Sequence, residues 1–159
     1  MGDLCYKLVG TEAVIVRICA LASGSSGNST FVATERTRLL VDAGLSFKET
    51  CKRLVSIGED PERLDAILIT HEHSDHVGGL QRLARKLKIP VYMTRLTAPS
   101  IEWPPDFAPA IELFQSGATL TIGDIKSTAS ESLTTRSIRS DSVFARKGSN
   151  SASRPTWGM

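Results

Sequence analysis

His71-Glu72-His73-Ser74-Asp75-His76 holds all three histidines of the chain. It directly follows Leu64-Asp65-Ala66-Ile67-Leu68-Ile69-Thr70, an apolar run with the length and composition of a buried strand. A strand end is rigid, so side chains in the turn beyond it are held in fixed relation to one another. Imidazole and carboxylate donors together suit Zn²⁺, Mn²⁺ or Fe²⁺. The spacing offers enough donors to begin two sites, with His71 and His73 facing one ion and Asp75 and His76 facing a neighbour. A polar turn that merely contains histidines is the plainer reading. Three in six residues beside an aspartate weigh against it.

Working outward, Val14 to Leu21 clusters apolar residues in strand fashion, and Ser23-Gly24-Ser25-Ser26-Gly27-Asn28-Ser29 separates it from Thr30-Phe31-Val32-Ala33. Gly, Ser and Asn accept tight turns, so two antiparallel strands joined by a short loop are expected. Phosphate binding by that loop is an alternative, although the sequence lacks GxxxxGK[ST]. Arg38 to Asp42 reads as a third strand. Ser46 with Glu49 makes a capping box, and Phe47, Cys51, Leu54 and Val55 recur at helical spacing up to Gly58. Ala66 to Thr70 is the fourth strand. Val77, Leu80, Leu83, Ala84 and Leu87 then mark one face of a helix that starts near Val77 and ends before Pro90. Val91-Tyr92-Met93 is a fifth strand. The loop 94–110 carries four prolines, with Trp103 and Phe107 either pinning it to the body or walling a substrate. Short strands are expected at Glu112–Phe114, Thr119–Ile122 and Ile125.

A net charge of +2 favours neither a nucleic-acid nor a membrane partner, and no apolar run approaches the ~20 residues of a membrane span. The positive excess lies wholly at the end. Residues 1–126 carry 14 basic and 15 acidic side chains, whereas 127–159 carry five and two. Nine Ser, four Thr and four Arg make up over half of those last 33 residues, and their apolar positions follow no period. That is the composition of a disordered tail. Three cysteines without a CxxC pair are poor material for a disulfide framework and fit a reducing cytoplasm. Cys19, inside an apolar run, reads as a packed thiol.

His71-x-His73-x-Asp75-His76 after an apolar strand, with Val77-Gly78-Gly79-Leu80 opening a helix, resembles the metallo-β-lactamase fold superfamily. The likeness extends to Leu40-Val41-Asp42-Ala43-Gly44. The loop from Ala22 to Ser29 is similar to that of a branch of small bacterial cytoplasmic, exonuclease-like hydrolases. The resemblance covers about 16–126 and implies an α/β fold, part of an αββα sandwich with a mixed sheet and flanking helices. It further implies two Zn²⁺ sites, with Mn²⁺ or Fe²⁺ as alternatives: His71 and His73 on the first ion, Asp75 and His76 on the second. Asp42 would orient the ligand loop from behind, or simply cap the turn at its strand end. Asp75 would also be the catalytic group that orients the attacking water. The substrate implied is a phosphodiester or other small ester, nucleic acid included.

The chain departs from that pattern in supplying only the first half of the ligand set. It has no histidine after His76, and only Asp124 and Asp141 follow the proline-rich loop. The expected organisation is an extension over 1–15, an incomplete domain over 16–126 and the tail over 127–159. A shift of reading frame near Lys126 fits the change in composition, and sequencing the locus tests it; a basic tail that binds a partner is the alternative. The expected function is a weakly active metal-dependent hydrolase. Two alternatives stand beside it: a non-catalytic scaffold or interaction protein, and an iron-dependent redox or persulfide enzyme of the same fold.

Overall fold

The computed structural model describes the backbone of residues 5–9 and 15–128 and the side chains of 16–127. Seven strands form one sheet in sequential order: β1 (Cys5–Val9), β2 (Ile15–Ala22), β3 (Ser29–Ala33), β4 (Arg38–Val41), β5 (Ala66–Leu68), β6 (Val91–Thr94) and β7 (Ile111–Phe114). The first three pairings are antiparallel and the last three parallel. Parallel neighbours require a crossover. Helix α1 (Phe47–Ser56) supplies it between β4 and β5, and α2 (Ser74–Val77) with α3 (Leu80–Leu87) supplies it between β5 and β6. A hairpin of β8 (Thr119–Ile122) and β9 (Ile125–Thr128) forms a second, two-stranded sheet.

Strand alternation divides the apolar side chains between two cores. Phe31, Leu40 and Ile67 face the helices and pack with Leu54, Leu80, Leu83 and Met93. Their neighbours Val32, Leu39 and Ala66 face the other way, where Ile122 of β8 covers them. Truncating a fully buried leucine such as Leu83 costs about 2–5 kcal/mol, so the helix-side core sets the rigidity of the strand ends described below.

Ser46 caps α1 by accepting the Glu49 N–H at 3.3 Å, as the capping box predicts. Three details differ from expectation. β5 ends at Leu68, because beyond it the Thr70 N–H turns to the Asp42 carboxylate instead of a strand. The helix expected from Val77 is two helices broken at Gly78 and Gly79, so Asp75 and His76 stand on a helical turn of their own. Cys19 is buried and is disulfide-bonded, which replaces the expected packed thiol. In the proline-rich loop, Trp103 and Phe107 meet edge to face at 6.1 Å and pack against the helix-side core, which is the pinning role.

β1 falls in the segment expected as an extension, and β9 crosses the expected boundary at Lys126. The rest of the expected tail, from 129 on, lies outside the described residues.

Candidate metal centre

Three loops meet at the carboxyl ends of β4 and β5, where open α/β sheets place their ligands. Backbone bonds fasten them. Ala43 N–H donates to His76 O at 2.7 Å, Gly79 N–H to Ala43 O at 2.7 Å, Asn28 N–H to Asp75 O at 2.6 Å and Gly44 N–H to Asn28 O at 3.0 Å. Approach this close requires glycine: a Cβ on Gly44 would stand 1.7 Å from Asp75 O, and one on Gly79 1.8 Å from Leu45 O.

Asp42 organises the chemistry. Its backbone is left-handed, with φ 61°, a region that Asp enters more readily than most residues. Only 4% exposed, its carboxylate accepts the Thr70 N–H at 2.9 Å and lies 2.9 Å from the Thr70 hydroxyl. His76 Nδ1 is 2.8 Å from Asp42 Oδ2, and His71 Nδ1 is 2.9 Å from Thr70 Oγ1. A hydroxyl has one proton to give. Assigning it to the carboxylate makes Thr70 an acceptor for His71 Nδ1–H, while His76 Nδ1–H donates to Asp42 directly. Both rings then present an Nε2 lone pair. One carboxylate thereby sets the tautomer of two imidazoles, the arrangement that metal-binding histidines ordinarily have behind them.

The histidine rings cluster. His71 lies 3.8 Å from His76 and 4.7 Å from His73, centroid to centroid. Burial pushes the His71 pKa down, the nearby His76 adding to that and Asp42 opposing it. Burial also pushes down on His76, but its hydrogen bond to Asp42 and the charges of Asp42 and Asp75 prevail, so its pKa is raised. Asp75 Oδ2 stands 3.5 Å from His76 Nε2. His73 and Glu72 are exposed at the rim.

The structure thus gathers His71, His73, Asp75, His76 and Asp42 at one place. Among the described residues, however, no three His, Cys, Asp or Glu side chains form a group that could hold a metal ion. Two residues the sequence reading did not single out complete the arrangement. Thr70, read only as the end of an apolar strand, links His71 to Asp42. Asn28, read only as part of a turn-forming loop, donates from Nδ2 to Asp75 Oδ2 at 2.8 Å. A hydroxyl ending an apolar strand just before a histidine was the available signal for Thr70; Asn28 is distant in sequence and gave none.

A family model described as the metallo-β-lactamase superfamily matches residues 22–131, more than half of the chain. The chain belongs to the metallo-β-lactamase superfamily. Among its relatives within the superfamily, the exodeoxyribonuclease WalJ of Streptococcus pneumoniae is 47% identical over 109 residues, which are 66% of this chain and 40% of WalJ. The exodeoxyribonuclease YycJ of Bacillus anthracis is 43% identical over 108 residues, 67% of this chain and 41% of YycJ. The chain therefore spans about 40% of the length of these curated relatives. Among solved structures, the Rm3 metallo-β-lactamase superposes with a TM-score of 0.59 at 24% identity, covering 81% of this chain and 51% of that one. A Cronobacter sakazakii metallo-β-lactamase superposes at 0.58 and 19%, covering 70% and 50%. At such identities the superpositions show the fold, a mixed sheet with flanking helices. Membership implies divalent-metal binding. The donors fit that ion in kind, two imidazoles with Nε2 outward beside a carboxylate, and fall short of it in number.

Proposed function

We propose that the chain carries the amino-terminal part of the catalytic centre of a metal-dependent phosphodiesterase that acts on nucleic acid. The observation that carries this reading is the connection of His71 and His76 to the single buried Asp42, which leaves Nε2 of each ring as an acceptor, that of His76 3.5 Å from Asp75 Oδ2. Packing and hydrogen bonds that fix ligand tautomers have no use in a solvated polar turn. The exodeoxyribonuclease names of the relatives support nucleic acid as the substrate class.

His71 and His73 would hold one ion and Asp75 and His76 the other, with zinc the favoured metal for this donor set. When bound, such ions supply Lewis acidity that activates water and polarises a phosphoryl oxygen. The chain's own residues do the rest. Asp42 holds the Nδ1 protons of two rings, directly and through Thr70, and keeps them from rotating. Asp75, half-buried at the edge of the cluster, orients water and accepts its proton. The site lies within residues 16–126, on a sheet that β1 extends, and among the described residues no helix is long and apolar enough to cross a membrane.

A second reading is favoured by one observation, the lack of any three-donor group among the described residues. A scaffold that keeps only half a ligand set would hold metal weakly and bind partners instead of cutting them. Cleavage of a labelled single-stranded oligonucleotide with added Zn²⁺ or Mn²⁺ separates the two, with His73→Ala as control. Slow, metal-dependent cleavage lost in the control is the expected result. Equal background with and without metal would establish the scaffold, and iron retained through purification would move the assignment to redox chemistry.

A further inference from the structure

Asn28 has every polar atom engaged. Its backbone N–H and C=O tie the glycine-serine loop to Asp75 and Gly44. Its Oδ1 accepts the Gly24 N–H at 3.0 Å, which fixes the orientation of the amide and turns the amino end toward the histidine cluster. Nδ2 lies 2.8 Å from Asp75 Oδ2 and 3.1 Å from His76 Nε2, two atoms only 3.5 Å apart. Since Asp42 takes the Nδ1 proton of His76, the Nε2 atom offers a lone pair. The amino group therefore gives one proton to a carboxylate and the other to an imidazole lone pair.

A carboxylate oxygen and an imidazole lone pair facing one point call for positive charge there. An amide N–H pair supplies it in partial form. The two backbone bonds already fasten the loop, so the amino group is not needed as a tether. We propose that Asn28 is a positioning residue whose side-chain amide stands in for a cation between Asp75 and His76. It keeps both donors aimed at a common point and yields them when a divalent ion arrives. The proposal rests on the assignment of Asp75 and His76 as ligands of one ion. It adds a third participant, from a loop 47 residues earlier in the chain.

Asn28→Asp is the sharpest test, because it replaces two donated protons with a third acceptor and leaves the backbone bonds in place. Without metal, in EDTA, three acceptors then face each other, and the midpoint of thermal unfolding should fall by about 4 °C or more. Zn²⁺ should restore it, and calorimetry should show Zn²⁺ bound at least about tenfold more tightly than by the unsubstituted chain. Unfolding in EDTA at the unsubstituted temperature, or a loss that Zn²⁺ does not repair, would overturn the proposal. Asn28→Ala guards against a variant that does not fold. In EDTA its His76 Nε2 nitrogen resonance should move toward that of an unbonded lone pair, and an unmoved resonance would equally overturn the proposal. The two readings separate cleanly. Zinc binding by Asn28→Asp with none by the unsubstituted chain would sink the proposed phosphodiesterase and the yielding of Asn28 to an ion, and leave standing only its hold on Asp75 and His76.

Discussion

Two aspartates sit at opposite ends of the central sheet and are held by the same chemistry, with different results. Asp42, at the carboxyl end of β4, is buried and accepts from Thr70 and His76. Asp124, in the turn between β8 and β9, is exposed and accepts the Thr34 hydroxyl at 2.7 Å and the Thr37 hydroxyl at 2.5 Å. The donors around Asp124 end there, so it fastens one hairpin to one turn. The donors around Asp42 lead on to two imidazoles whose Nε2 atoms are left as acceptors, that of His76 meeting the Asn28 amide. A carboxylate becomes part of a reactive centre through what its partners touch next, and only the end where three loops converge offers such partners.

The largest separation between the two ends should come from Asp42→Ala. It strands the Thr70 and His76 donors in a buried place, costing about 2–4 kcal/mol in urea unfolding. Zinc affinity should fall about 10–100-fold, because the rings lose their orientation. Thr37→Val should cost about 1 kcal/mol and leave zinc affinity unchanged by calorimetry. Comparable losses of affinity in the two variants would erase the distinction between the ends.

Acid sharpens the comparison further. The Thr37 hydroxyl first, then Thr34, holds the Asp124 carboxyl below its ordinary value of 3.8. A lowered folded pKa contributes stability above the unfolded value, and that contribution fades as pH falls through the folded one. The gap in stability between the unsubstituted chain and Thr37→Val should therefore narrow below about pH 4. The smallest effect is an order of titration. His76 is raised and His71 lowered from a common ordinary value of 6.5, so on acidification in EDTA His76 should take its proton first. Ring resonances that titrate in the reverse order would mean that burial of His71 and the hydrogen bond from His76 to Asp42 do not shape the pair.

Much of this was legible in the sequence because period and punctuation are local properties. The run ending at Thr70, the Ser46 cap and the alternation through Phe31-Val32 and Leu39-Leu40 each announce an element within a few residues. The histidines were legible for the same reason, crowded as they are into one turn. The contribution of Asn28 was not, because a hydrogen bond across 47 residues leaves no mark on either segment; Thr70 showed only its hydroxyl before His71, with its partner Asp42 lying 28 residues away. The break at Gly78-Gly79 was also missed. The apolar spacing from Val77 to Leu87 continues through it, and only the approach of Gly79 to Leu45 O demands the interruption.

The bonds that shape the cluster join positions 28, 34 and 47 residues apart in the chain. Closing such contacts costs loop entropy that local turns do not, so they form after nearby pairings have shortened the path. The β2–β3 and β3–β4 hairpins can assemble from neighbours in sequence, whereas the His76 ring finds Asp42 only once α1 has brought β5 alongside β4. The histidines are therefore placed after those hairpins. Their resonances report whether a given molecule has closed that crossover, and a chain trapped one crossover short would carry these donors and no centre.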